Sequence, residues 1–226
     1  MHCLDRLPEP DAHFLAAQAR APGDSGGALH YSRIDVRNVD ELDETFSRIA
    51  AGSSRLDGLV AAAGVQLVKP ALDYTLHELR EMMDINYAGV FFSATSAARA
   101  MLRHNTPGNI VLIASMSGFV ANKGLVSPVY NSSKAAVIQL GRNLAMEWGP
   151  KGIRVNSLCP GHIVTPMVKK NFEDEPWLEE IWTHENMLGR LSSPEEFKGA
   201  ALFLCSDASS FMTGASLVID GGHTAW

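Results

Sequence analysis

The sequence predicts an α/β fold, with a parallel β-sheet covered by helices on both faces. Three observations carry this. Short β-branched or apolar runs alternate with longer stretches of helical spacing along the chain. The strand-like runs are nearly all apolar, as strands buried on both faces are. The 226 residues, 46% hydrophobic and 19% charged, are ample for one well-packed core, so a single domain over 1–226 is expected and general disorder is excluded.

In chain order, the strands are expected at Leu29–Val36, Leu56–Ala62, Asn109–Ala114, Ile153–Leu158 and Ser216–Ile219. Before the first of them, the polar, glycine-rich stretch Ala21–Gly27 reads as a surface loop rather than a linker. Helices are expected at Val39–Ala51, Leu76–His104, Ser132–Trp148 and Pro194–Cys205. Asn38 supplies an N-cap to the first, and Ser193-Pro194-Glu195-Glu196 gives the last an N-cap, a first-turn proline and early acids. Ser132–Trp148 is apolar on more than one side: Ala135, Ala136, Val137, Ile138, Leu140, Leu144, Ala145, Met146 and Trp148 exceed a single core stripe. Either this helix is buried within the protomer or one face meets a second subunit; the excess favours a homo-oligomer, a dimer or tetramer.

Composition narrows the partners. The 19 Lys and Arg against 25 Asp and Glu give a net charge of −6, opposite to a protein that binds nucleic acid through phosphates. No apolar run reaches the ~18 residues of a membrane span. The start Met1-His2-Cys3-Leu4-Asp5-Arg6 lacks the basic-then-apolar pattern of a secretory signal. Cys3, Cys159 and Cys205 form no CxxC pair and are expected as reduced thiols in a cytoplasmic protein. The eight histidines include no HExxH or comparable pairing, so no metal site is expected.

The chemistry centres on Tyr130-Asn131-Ser132-Ser133-Lys134. Residues four apart on a helix share a face. A phenol of pKa ~10 is a poor base at neutral pH, and a nearby ammonium favours its ionised form. Upstream, Ile113-Ala114-Ser115-Met116-Ser117-Gly118 places hydroxyls just past the carboxyl end of a strand, the edge where open α/β sheets bind ligands.

Ser115, Tyr130 and Lys134, with Asn86 in Asp84-Ile85-Asn86-Tyr87-Ala88-Gly89, resemble the active site of the short-chain dehydrogenase/reductase family. Further motifs follow in the family's order: Asp57–Gly64, similar to its strand ending in an asparagine-rich NAG turn; Asn156–Thr165, similar to its nicotinamide-side PG motif; and Asp220-Gly221-Gly222, similar to its closing turn. The resemblance covers roughly the whole chain and is nearest to fungal-type polyol and ketose reductases. It implies a Rossmann-like doubly wound sheet and hydride transfer between NAD or NADP and a secondary alcohol or ketone, with a sugar alcohol or small ketose as substrate. Tyr130 would exchange the proton, Lys134 would lower its pKa and bond the nicotinamide ribose, and Ser115, rather than Ser117, would hold the substrate oxygen. Asn86 would hold a relay water. Pro160 and Gly161 would form the nicotinamide-side turn, Ile163 and Thr165 would meet the carboxamide, and Asp35 the adenine. The segment Val164–Leu188, with Pro166, Met167, Phe172, Trp177, Trp182 and Met187, corresponds to the family's lid, and Val120 and Asn122 would shape the pocket. Glu179, Glu180, Lys169 and Lys170 read as a solvated helix face.

Two departures stand out. The NAG turn reads Ala61-Ala62-Ala63-Gly64, keeping the close backbone approach at Ala63 and Gly64 but losing asparagine hydrogen bonds. No GxGxxG or GxxxGxG occurs, and His2–Arg6 resembles the end of the family's second strand. The resemblance thus implies an N-terminally truncated member lacking the first strand, glycine-rich loop and first helix, on the order of 30 residues. Asp5 falls where an acid bonds the adenosine ribose, favouring NAD, while Arg6 suits a 2′-phosphate, so NAD and NADP both stay open. Cofactor binding is expected to be weakened. Three alternatives stay open: a misplaced gene start, closure of the second strand onto the fourth, or detachment of residues 1–35 to pair elsewhere, as with another subunit. The alternative function is a truncated pseudoenzyme or a non-redox binding or acid–base protein.

Overall fold

The computed structural model describes residues 1–21, 26–165, 168, 169, 172, 173 and 175–226. Most of the expected loop Ala21–Gly27, and Pro166, Met167 and Lys170, fall outside them. The elements are β1 (His2–Asp5), α1 (Ala12–Arg20), β2 (His30–Arg33), α2 (Val39–Ser53), β3 (Gly58–Ala61), α3 (Leu76–Met83), α4 (Val90–Arg103), β4 (Gly108–Ile113), α5 (Pro128–Trp148), β5 (Ile153–Pro160), α6 (Trp177–His184), α7 (Lys198–Cys205) and β6 (Ser216–Ile219). All pairings are parallel, and the fold is the Rossmann-like α/β arrangement.

The sheet is in two parts: β1 pairs with β2, and β3-β4-β5-β6 form a four-stranded sheet. Among the described residues no strand bridges β1 and β3. β1 does not close onto β3: it pairs with β2, registered from His2↔His30 to Asp5↔Arg33, and its other edge meets no strand among the described residues. Residues 1–35 do not detach either: Ile34 is buried and Leu4 packs on the same core cluster as Leu42, Phe46 and Met101.

Pairing partners set the strand limits. Leu29–Val36 shrinks to four residues because β1 offers four partners. Leu56–Ala62 shrinks to Gly58–Ala61, paired with Asn109–Leu112. The fourth expected strand instead extends to Pro160, where Cys159 and Pro160 pair with Val218 and Ile219. On β4, Ile110, Leu112 and Ala114 join the core beneath α2, α4 and α5, while Val111 faces Leu204 of α7 on the opposite side.

Asn38 caps α2 through its side-chain oxygen, which accepts from the Glu41 amide at 3.3 Å. The long helix expected over Leu76–His104 is broken by a π-helical turn, Asp84–Gly89. Gly89 is required there, since a Cβ would sit 2.5 Å from Val36 Cγ2. α5 begins four residues earlier than expected, on Pro128 at its first turn. Its extra apolar residues are mostly buried within the protomer: Val137, Ile138, Leu140, Leu144, Ala145 and Trp148 are core, and Met146 is 74% exposed. The first reading of that helix therefore accounts for its breadth. Pro194–Phe197 is a 3₁₀ turn that leads into α7, closed by a Ser193–Glu196 capping box. α1, capped by Asp11, escaped the pattern analysis because it has no buried residue to mark a period.

Candidate active site

Ser115, Tyr130, Lys134 and Asn86 meet at the carboxyl edge of the four-stranded sheet. Ser115 follows β4 in extended conformation and caps a 3₁₀ turn, its Oγ accepting from the Ser117 amide at 3.1 Å. The Ser117 hydroxyl points elsewhere, donating to Asn122 Oδ1 at 2.7 Å. Gly118 locks this turn against α5: a Cβ would lie 2.6 Å from Ile138 Cδ1 and 2.9 Å from the Lys134 carbonyl carbon. The close approach sets the hydroxyl of Ser115 beside the first turns of α5, which carry Tyr130 and Lys134.

Burial raises the Tyr130 phenol above its ordinary value, and the Ser115 hydroxyl pulls it partly back. Burial pushes Lys134 down to about 8. The ammonium donates to the Ile113 carbonyl at 2.9 Å and lies 5.6 Å from the centre of the tyrosine ring, so desolvation dominates both groups.

Asn86, fully buried in the π-helical turn, is a brace. Its Oδ1 accepts from the Val65 amide at 2.8 Å, and its Nδ2 donates to the Val65 carbonyl at 2.9 Å and to Ser133 Oγ at 3.1 Å. Both amide protons are thus engaged by protein. Ser133, which the sequence analysis did not single out, completes the brace by donating to the Tyr130 carbonyl at 2.7 Å.

Ala62, Ala63 and Gly64 form an exposed ledge next to this cluster. A Cβ at Gly64 would stand 3.5 Å from both Asn86 Oδ1 and Lys134 Nζ, so a side chain there would fill the space before the lysine. On the other side, Pro160 ends β5 and Gly161 donates to the Ile219 carbonyl at 2.8 Å. Ile163 bridges Ser192, and Thr165 Oγ1 accepts from the Val168 amide at 3.3 Å. A Cβ at Gly161 would meet the Asp220 Cα at 2.6 Å. Gly161→Ala is therefore expected to destabilise the protein by about 1–3 kcal/mol, seen as a lower urea midpoint; an unchanged midpoint would show that the closing turn can yield.

Asp5 ends β1, and Asp35 follows β2 by two residues. Both Asp35 oxygens are held by Arg37, at 2.5 Å in the shortest contact, which drops its carboxyl to about 2. Asp5 Oδ1 accepts from the Leu7 amide at 2.9 Å. Among the described residues no cluster of His, Cys, Asp and Glu could hold a metal ion. No described helix is long and apolar enough to cross a membrane.

Comparison with known proteins agrees with this layout. The family described as enoyl-(acyl carrier protein) reductase has a model that matches residues 10–224. A short-chain dehydrogenase/reductase of Aspergillus versicolor is 43% identical over 229 residues, covering 99% of this chain and 78% of that protein. The chain belongs to the short-chain dehydrogenase/reductase family. It is an oxidoreductase. Another short-chain relative, the D-arabinitol 2-dehydrogenase (ribulose-forming) of Scheffersomyces stipitis, is 38% identical over 85% of this chain and 70% of its own length. The crystal structure of a gluconate 5-dehydrogenase from Burkholderia cenocepacia, in complex with NADP and tartrate, superposes with a TM-score of 0.88 at 29% identity, covering 100% of this chain and 85% of that one.

Proposed function

We propose that this single-domain protein oxidises a sugar alcohol to a ketose, or reduces the ketose, using NAD or NADP. The observation that carries the reading is the convergence of Ser115, Tyr130 and Lys134 at the carboxyl edge of the parallel sheet. The D-arabinitol 2-dehydrogenase likeness supports a polyol substrate, and the NADP-bound neighbour supports the cofactor class.

The ledge at Ala63 and Gly64, open only because residue 64 has no side chain, fits the nicotinamide ribose, with Lys134 Nζ at its back. Pro160, Gly161, Ile163 and Thr165 would hold the nicotinamide ring and carboxamide, and Asp35 and Asp5 the adenosine. Bound nicotinamide supplies the hydride acceptor for oxidation or the donor for reduction. In oxidation, the Ser115 hydroxyl holds the substrate oxygen and Tyr130 Oη takes its proton; reduction returns it. Lys134, when charged, stabilises the phenolate electrostatically. Asn86 positions Lys134 and the Gly64 ledge through Val65 and Ser133.

The Ala61-Ala62-Ala63-Gly64 turn offers the dinucleotide its backbone without asparagine side chains, which supports a weakened hold on the cofactor. Exposed Leu202, Phe203 and Phe211 support assembly with further copies of the chain, and the free thiols Cys3, Cys159 and Cys205 suit a reducing, cytoplasmic setting. Assay of the purified chain with D-arabinitol and either NAD or NADP at millimolar concentration tests the reading. Cofactor-dependent formation of ketose is expected, with dinucleotide half-saturation well above micromolar. Absence of hydride transfer to or from every polyol and ketose tried would favour a protein that binds without redox chemistry.

A further inference from the structure

The loop between β4 and α5 carries a buried polar cluster that the proton chemistry above does not use. Its members are Ser117, Asn122 and Asn131, with Asn122 at the centre. The Asn122 side-chain oxygen accepts from the Ser117 hydroxyl at 2.7 Å and from Asn131 Nδ2 at 3.3 Å. Asn122 and Ser117 are each 6% exposed, and Asn131 is half-buried. Asn122 Nδ2 meets no acceptor among the described residues, so the oxygen makes every hydrogen bond of this side chain.

Each donor is a near neighbour of a reacting group. Ser117 lies two residues past Ser115, and its amide donates to Ser115 Oγ at 3.1 Å. Asn131 follows Tyr130 on the first turn of α5. The Ser115 hydroxyl and the Tyr130 phenol are themselves hydrogen-bonded. The contacts thus close a ring through Ser115, Ser117, Asn122, Asn131 and Tyr130, in which one carbonyl oxygen joins the strand-edge turn to the helix.

The backbone at Asn122 is anchored independently of its side chain. Its carbonyl accepts from the Leu125 amide at 3.2 Å, Gly124 supplies the left-handed φ of +75° in this turn, and Leu125 is buried with Leu178 and Trp182. Asn131 Nδ2 also donates to the Val120 carbonyl at 3.1 Å, which ties α5 to the same loop. The amide oxygen is therefore a fixed point to which two donors come, and away from water neither donor leaves it without cost. The substrate oxygen has to lie within hydrogen-bond reach of Ser115 and Tyr130 at once, and a misplacement of about 1 Å costs on the order of 10²-fold in rate.

We propose that Asn122 is a positioning residue, whose side-chain oxygen sets the distance between the Ser115 hydroxyl and the Tyr130 phenol through Ser117 and Asn131. The assignment rests on the oxidoreductase reading and adds a residue to its machinery. The test compares Asn122→Ala with Asn122→Asp, which keeps the accepting oxygen, in D-arabinitol oxidation at saturating NAD or NADP and at a temperature where all forms are folded. Asn122→Ala is expected to lower kcat by about 10- to 100-fold with KM within a few-fold of wild type, and Asn122→Asp to recover most of the loss. Ser117→Ala and Asn131→Ala open the same ring, so the double variant is expected to lose little more than the larger single loss. Wild-type kcat in Asn122→Ala, a loss that Asn122→Asp does not recover, or a double-variant loss equal to the product of the single ones overturns the proposal. Amide exchange at Ser117, read by NMR, follows the linkage without turnover. It is expected to quicken by about tenfold or more in Asn122→Ala and to return toward wild type in Asn122→Asp. That result with no alcohol oxidised by any form, wild type included, sinks the oxidoreductase reading and leaves the linkage; turnover that is indifferent to Asn122 does the reverse.

Discussion

Tyr130→Phe is expected to lower kcat for polyol oxidation by about 10²–10⁴-fold, the usual contribution of a positioned acid or base, while leaving KM within a few-fold. The substitution removes one hydroxyl from a half-buried ring whose centre lies 5.6 Å from the Lys134 ammonium, so the fold should persist. Ser115 stays in place through its bond from the Ser117 amide. The pH dependence of the parent protein should carry the same signature. Burial holds the phenol above its ordinary value, so the phenolate needed to accept a proton becomes more abundant as pH rises. Oxidation should therefore climb on the alkaline side, and reduction, which needs the protonated phenol, should fall. Lys134 loses its charge through about 8, which weakens its support of the phenolate and flattens the climb above that pH. A variant with wild-type kcat, or an oxidation rate that falls steadily above neutrality, would remove Tyr130 from the proton transfer.

Asn86→Ala is expected to cost about 3–5 kcal/mol of stability and to lower the melting temperature by roughly 6–20 °C. The side chain is fully buried and makes three hydrogen bonds, two to the backbone of Val65 and one to Ser133. Truncation strands the Val65 amide and carbonyl and opens a cavity, and both effects are unfavourable. It also frees the turn that presents Gly64 to Lys134, so activity below the melting transition should fall with it. Thermal unfolding, followed with kinetics at a temperature where both proteins are folded, distinguishes lost structure from lost positioning. A melting temperature within a degree of wild type would show that the brace is dispensable.

Much of this arrangement was legible in the residues. The spacing of Tyr130 and Lys134 places them on one helical face, and the run ending at Ser115 places a hydroxyl at the strand edge, because helix and strand periods are local properties. The five strands read from apolar runs all exist, and pairing moved their limits: β2 is shorter against β1, and β5 is longer where Cys159 and Pro160 meet Val218 and Ile219. The short segment at the N-terminus became a strand by pairing with His30–Arg33, which pattern alone could not show. The π-helical turn was hidden because Asp84–Gly89 fits ordinary helical spacing; tertiary crowding of Gly89 against Val36 accompanies the extra residue. The burial that raises the Tyr130 phenol is a tertiary property that no motif encodes.

The division of the sheet has a consequence for how the protein behaves in company. β1 and β3 each keep one edge without a strand partner among the described residues. The β3 edge, Gly58-Leu59-Val60-Ala61, carries no charge and no proline, and Val60 is 43% exposed. Edges are ordinarily guarded by such residues against strand addition. An edge strand of that composition offers its backbone donors and acceptors to an extended chain, as a template for strand addition rather than a guarded rim.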